Sequence, residues 1–124
     1  MKAMLKLPKK VGPYSFLREA GNLVFTSGQL PINPETNTVD KTDIQGQTIQ
    51  VLENLKAVLA TVELGLEDVI KCTVLLSNMD DFQVVNEIYG TYFNEPYPSR
   101  TAYQVAKLPL AVKIEIEAIA SKRA

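Results

Sequence analysis

Residues 112–120 read VKIEIEAIA, a stretch in which apolar and charged residues largely alternate. Its alternation with a period of two predicts a β-strand with one apolar face and one mixed face. The apolar face suits a covering layer of helices and consists of Ile114, Ile116, Ala118 and Ala120; the other face carries Lys113, Glu115, Glu117 and Ile119. A sheet face that mixes carboxylates with apolar residues is a candidate subunit interface, so the strand also predicts an oligomer.

The segment just before this strand, Arg100–Val105, is predicted to be a strand as well, and a turn around Leu108-Pro109 separates the two. We predict that these strands form a hairpin. That pairing would bring Glu115 opposite Arg100 and Thr101.

The N-terminal half of the chain predicts a hairpin followed by a helix. Two strands, Tyr14–Arg18 and Leu23–Ser27, flank the turn residues 20–22. The helix is expected to begin near Thr42, because Thr42 and Gln45 form a capping-box pattern, and to end at Gly65 as its C-cap.

The middle of the chain predicts a strand at Val69–Leu76, apolar enough for both faces to be covered, and then a second helix capped by residues 78–81. The apolar stripe of that helix is typical of core packing and comprises Phe82, Val85, Tyr89, Tyr92 and Phe93. The element order β-β-α-β-α-β-β predicts one α+β domain over residues 1–124, with two helices on one face of a mostly antiparallel sheet.

Composition excludes several kinds of chemistry. The 124 residues include 13 basic and 14 acidic side chains, so the net charge of −1 does not favour a nucleic-acid partner. The sequence has no histidine and a single cysteine, Cys72, which removes histidine-based catalysis, histidine metal sites and an intrachain disulfide. Cys72 is interpreted as a core residue. The lone cysteine, and the lack of a secretory or membrane-spanning segment, lead us to expect a cytoplasmic protein.

Arg100 and Glu115 are the strongest candidates for function. A guanidinium at the start of a strand can bind a carboxylate through two parallel hydrogen bonds, although a structural ion pair or a solvated edge position would also explain it. Glu115 could form a plain salt bridge with Arg100, or it could act beside it as an acid/base group. Tyr14 and Ser27 add hydroxyl groups next to Gly12 and Gly28.

Five blocks of the chain resemble the RidA (YjgF-like, reactive intermediate deaminase) family: VGPYSF at 11–16, FTSGQLPINPET at 25–36, ENLKAVL at 53–59, PSRTAYQVAKLP at 98–109 and VKIEIEAIA at 112–120. The resemblance implies a chorismate-mutase-like homotrimer with clefts between subunits. It also implies cofactor-independent hydrolysis of 2-iminobutanoate and 2-iminopropanoate to 2-oxo acids and ammonia. Pyridoxal-phosphate-dependent dehydratases would release those imines.

The same resemblance implies roles for individual residues. Arg100 would hold the substrate carboxylate, and Glu115 would orient the attacking water. Tyr14 would close the cleft from a neighbouring chain. Ser27 and Gly28 would line the cleft, and the backbone at Thr101 and Ala102 would contact the substrate head. Many members of the family carry cysteine where this chain has Ala102, so thiol chemistry is not expected at that position.

Two other functions compete with the deaminase. A non-catalytic sensor or regulator that binds 2-oxo acids would use the same Arg100 cleft, and the sequence does not separate it from an enzyme. The nuclease or translation-inhibitor role of some relatives is disfavoured by the neutral charge and the lack of a basic patch.

Overall fold

The computed structural model describes residues 6–122, so the two ends of the predicted 1–124 domain lie outside the described residues. Five strands and two α-helices follow the predicted order: β1 Leu17–Ala20, β2 Leu23–Thr26, α1 Ile44–Ala60, β3 Val69–Leu76, α2 Phe82–Tyr92, β4 Ser99–Gln104 and β5 Ile114–Ser121. None of the helices in this part of the chain is both long and apolar enough to cross a membrane.

The strand order in the sheet is β1-β2-β5-β3-β4. Strands β1, β2, β5 and β3 are antiparallel neighbours, and β4 runs parallel to β3 at the edge. The predicted hairpin between the last two strands is therefore wrong, because β3 lies between β4 and β5. The segment 69–104 is a β-α-β unit, and such a crossover joins parallel strands.

Both helices cover the same face of the sheet, as the alternation in β5 predicts. Ile114, Ile116, Ala118 and Ala120 are buried, and they pack with residues of α1, α2 and β3 in the main hydrophobic core. On β3 only this face is fully buried, at Cys72, Val74 and Leu76. In the single chain the opposite face of β3 is partly exposed, and only a smaller cluster around Leu30 and Val112 packs against Leu75 there.

The ends of α1 differ from the prediction. Asp43 is the N-cap, and its carboxylate accepts a hydrogen bond from the Gly46 backbone N–H at 3.0 Å, so Thr42 and Gln45 do not form the expected capping box. The helix ends at Ala60, well before Gly65. Glu63 takes the left-handed conformation with φ of 62°, and the Leu64 N–H bonds back to the Leu59 carbonyl. This is the arrangement in which a residue after the last turn satisfies the free helical carbonyls.

The first hairpin confirms the predicted turn. Ala20 pairs with Leu23, and Gly21 adopts a φ of 59°, a conformation that favours glycine. Strand β1 begins at Leu17 rather than Tyr14, because the Tyr14 N–H bonds to the Gly12 carbonyl in a local turn. Tyr14 therefore precedes the sheet and takes no part in the hydrogen bonds between its strands.

Candidate active site

The predicted site residues fall into two groups on opposite faces of the sheet. Arg100 is in register with Cys72 of β3, whose side chain points toward the helices. Glu115 is in register with Leu75, which points to the other face. Residues paired across neighbouring strands share a face. Arg100 and Glu115 of one chain therefore cannot meet across the sheet.

The strand register also separates these two residues within the sheet plane. They lie on β4 and β5, two strand spacings apart, and three residues apart along the strands. This places their Cα atoms roughly 14 Å apart. Within one chain, Arg100 and Glu115 therefore form neither the salt bridge that the sequence left open nor the predicted hairpin contact. Both predictions are wrong for a single chain.

Glu115 lies in a cavity of about 200 Å³ that we call the Glu115 cleft. The cleft is lined by Val11, Tyr14, Ser27, Gly28, Leu30, Pro109 and Glu115. The Tyr14 hydroxyl accepts a hydrogen bond from the Val11 N–H at 3.3 Å. The Ser27 hydroxyl donates to the Ser15 carbonyl at 2.6 Å, which ties the segment that carries Tyr14 to the end of β2. The sequence predicted four of these residues, and the structure brings all four together.

Gly28 is needed to make room for Glu115. A Cβ atom at position 28 would lie 2.7 Å from Cδ and 2.9 Å from Cγ of Glu115, both far inside an ordinary contact. The neighbouring backbone is fixed, because Gln29 and Ile116 exchange two hydrogen bonds of 2.7 and 3.2 Å. The glycine therefore lets the Glu115 side chain lie directly against the backbone after β2.

The Glu115 carboxylate is half-buried and has no hydrogen bond or ion pair with any residue in 6–122. Burial raises its pKa above the usual glutamate value, and the charge of Glu117 on the same face raises it further. A carboxylate with a raised pKa is a better general base near neutral pH than an ordinary glutamate, because it holds a proton more readily. Glu115 is thus suited to take a proton from a bound water.

Arg100 lies in a separate cavity of about 430 Å³ that we call the Arg100 cleft. This cleft is lined by Asn86, Tyr89, Gly90, Tyr97, Pro98 and Arg100. The guanidinium carbon of Arg100 lies 4.8 Å from the centre of the Tyr89 ring and 5.3 Å from the centre of the Phe82 ring. Within the described chain, no carboxylate lies within ion-pair distance of Arg100. The structural ion pair considered for this residue is therefore absent from residues 6–122, and its charge is available to an anion.

Thr101 and Ala102 are divided between the two faces. Thr101 pairs with Thr73 on the Glu115 side, where its hydroxyl accepts a hydrogen bond from Lys71 Nζ at 3.3 Å. Ala102 pairs with Val74 and packs against the core on the Arg100 side. Its side chain offers no reactive group.

The sequence interpretation missed the aromatic residues around Arg100, because it assigned the stripe on α2 to the core alone. Tyr89 and Asn86 each bury a polar side-chain atom that has no hydrogen-bond partner in the described part of the chain, the hydroxyl oxygen and Oδ1 respectively. The β-α-β pattern at 69–104 was the signal that could have placed α2 over Arg100.

Cys72 lies beneath this cleft and is fully buried, as expected for a core residue. Burial raises the pKa of its thiol to about 11. The thiol is therefore protonated at neutral pH and is not a nucleophile. Among residues 6–122, no three histidine, cysteine or acidic side chains are grouped so that they could bind a metal.

Comparisons with known proteins give the family context. Residues 4–122 match the family model described as endoribonuclease L-PSP. The chain is 53% identical over 115 residues to a RutC family protein of Pyrococcus horikoshii, covering 93% of this chain and 91% of that protein. It is 47% identical over 116 residues to the chloroplastic Reactive Intermediate Deaminase A of Arabidopsis thaliana, covering 94% of this chain and 62% of that protein.

A solved structure agrees with the architecture. The crystal structure of Escherichia coli TdcF with bound serine superposes with a TM-score of 0.89 at 41% identity, covering 98% of this chain and 97% of that one. The fold is thus the expected chorismate-mutase-like α+β arrangement.

Proposed function

The chain belongs to the RidA (YjgF-like) family, and from this premise we propose that it is a deaminase that hydrolyses reactive 2-imino acids to 2-oxo acids and ammonia. One observation carries the proposal. A guanidinium and a carboxylate with a raised pKa, both without a partner among residues 6–122, each face a cavity in a chain without histidine.

The active site proposed here is assembled from two chains of a homotrimer. Arg100 of one protomer binds the substrate carboxylate through two parallel hydrogen bonds, and Glu115, Tyr14, Ser27 and Gly28 come from its partner. Support comes from the placement of these residues on opposite sheet faces, which prevents a complete site within one protomer. The mixed, partly exposed face that carries Glu115 suits burial against a neighbouring subunit.

The reaction needs little from the protein. A protonated 2-imino acid is already electrophilic at C2, so Arg100 fixes its orientation and Glu115 removes a proton from the attacking water. The new C–O bond gives a carbinolamine. Glu115 returns that proton to nitrogen. The C–N bond then breaks as the hydroxyl group gives its proton to Glu115 and becomes the C2 carbonyl, so ammonia leaves the 2-oxo acid. We propose 2-iminobutanoate and 2-iminopropanoate as substrates, which pyridoxal-phosphate-dependent dehydratases would supply.

The primary experiment measures ammonia and 2-oxo acid release from an imine that a dehydratase generates in the assay. We expect Arg100→Ala and Glu115→Ala to lose most activity, while the matched charge removal Lys56→Ala on the exposed side of α1 keeps it. Release at the buffer rate by a protein that still binds 2-oxobutanoate would favour the non-catalytic sensor. Full activity in Arg100→Ala would refute the site.

Mixing the two inactive variants tests whether the site is shared between chains. In trimers assembled at random from equal amounts of Arg100→Ala and Glu115→Ala protein, about a quarter of the clefts combine an intact Arg100 with an intact Glu115. We expect activity to return to about that fraction of the wild-type value. No recovery in trimers that do exchange subunits, or a monomer in sedimentation, would contradict the shared site.

A further inference from the structure

Arg100 rests on two aromatic rings of α2, Phe82 and Tyr89, which together we call the aromatic floor. Both ring centres lie within cation–π distance of its guanidinium carbon, at 5.3 and 4.8 Å. Tyr89 is only 5% exposed, and its ring packs against Phe93 with the ring centres 4.4 Å apart. The floor is therefore part of the packed core, whereas Arg100 is exposed on top of it.

This support differs in kind from an ion pair. A cation–π contact attracts the guanidinium through its positive charge and forms no N–H···O hydrogen bond, so its five donors stay available to a ligand. A carboxylate partner would orient the arginine equally well, but it would occupy the donors and neutralise the charge. No such partner lies beside Arg100 among residues 6–122.

We propose that Phe82 and Tyr89 are positioning residues, which orient the Arg100 guanidinium while leaving its charge and its donor edge free for the ligand carboxylate. This inference rests on the proposed function, since it gives the floor a role in carboxylate binding at the same cleft. It also assigns a second task to the aromatic stripe of α2, beyond filling the core.

Substitutions that remove a ring from the floor test the proposal. Phe82 is only partly buried, so Phe82→Leu is expected to fold, and Phe82→Met serves as a second variant. We expect either one to raise the Kd for 2-oxobutanoate, measured by calorimetry, roughly threefold to fivefold. Tyr89→Phe keeps the ring and loses only the hydroxyl group, so it should bind within about twofold of wild type.

A core substitution on the same helix is the matched control. Val85 is fully buried on α2 and has no aromatic ring, so Val85→Ala should lower the urea midpoint of unfolding without changing the Kd. If Val85→Ala weakened binding as much as Phe82→Leu, the floor would act only through general stability, and the proposal would be wrong.

A double-mutant cycle separates this proposal from the proposed function. Phe82→Leu should have no further effect on the Kd in an Arg100→Ala background, because the ring acts only through the arginine. If Arg100→Ala weakens 2-oxobutanoate binding but Phe82→Leu and Phe82→Met do not, the aromatic floor is refuted and the Arg100 anchor stands. If Arg100→Ala itself binds normally, the proposed function fails at its first step.

Discussion

Replacing Gly28 with alanine is the most direct test of Glu115, because the new methyl group would occupy space that the glutamate side chain now fills. The added Cβ would lie 2.7 Å from Cδ of Glu115, and an ordinary contact begins at 3.4 Å. The Glu115 side chain must therefore recede by roughly 0.7 Å at Cδ, and by more at the carboxylate oxygens. The backbone is not forced to move, since the overlapping atoms belong to a flexible side chain.

The magnitude follows from that displacement. Glu115 has no hydrogen bond within residues 6–122 to lose, so the variant should stay within about 1 kcal/mol of the wild-type free energy of unfolding. A misplacement of about 1 Å at a group that orients a reactant costs on the order of a hundredfold in rate. We therefore expect kcat for ammonia release to fall about a hundredfold while the Kd for 2-oxobutanoate changes little.

Gly21→Ala supplies a matched control with the opposite outcome. Gly21 lies in the β1–β2 turn, at the other end of β2 from Gly28, and a Cβ atom there meets nothing within 4 Å. Its φ of 59° is unfavourable for alanine, so this variant should lose about 1 kcal/mol of stability at unchanged kcat. Wild-type kcat in a folded Gly28→Ala protein would contradict the displacement of Glu115 by the added methyl group. So would a further loss on adding Gly28→Ala to Glu115→Ala.

Three further predictions concern stability, each measured by urea denaturation. Asn54→Leu leaves the buried carbonyls of residues 30 and 32 without their donor at 2.9 and 2.8 Å, so it should cost about 3 kcal/mol; a loss below about 1 kcal/mol would contradict this. Asp43→Ala should cost about 1 kcal/mol through its N-cap, whereas Thr42→Ala should be nearly neutral. The raised pKa of Glu115 means that ionising its carboxyl group destabilises the folded wild-type protein, whereas Glu115→Gln has no group to ionise there. As pH rises from the ordinary glutamate range through the raised folded pKa, Glu115→Gln should therefore become more stable relative to wild type. A stability difference that does not change with pH would argue against the pKa shift.

Local patterns in the sequence predicted the elements whose limits depend on neighbouring residues alone. Strand β3 begins and ends at the same residues as the apolar run in the sequence, Val69 and Leu76. The buried face of β5 follows the alternation of apolar residues along that strand. The first hairpin likewise follows from one glycine in the left-handed region. The start of α1 was placed at the wrong cap, since Thr42 and Asp43 are both good N-cap residues and only the three-dimensional structure shows which side chain reaches the backbone.

Strand pairing was the step that local patterns could not supply. The connection between β4 and β5 runs from Val105 to Lys113, longer than a tight hairpin needs, and so leaves β5 able to insert between β2 and β3. Which neighbour a strand takes depends on burial over the whole sheet. The β-α-β unit at 69–104 favours the observed parallel pairing of β3 with β4, but that pairing leaves β5 free to lie beside either strand.

The observed strand pairing changes how the presence of Arg100 and Glu115 can be explained. In a hairpin they would neutralise each other, and their presence would need no functional explanation. On opposite faces each remains without a partner among the described residues 6–122, although an unpaired, half-buried carboxylate lowers stability at neutral pH. Gly28 leaves the space for that carboxylate, and the aromatic floor orients the arginine without using its donors. Two such supported but unpaired charges are more readily explained as complementary halves of a site between subunits than as two independent surface features.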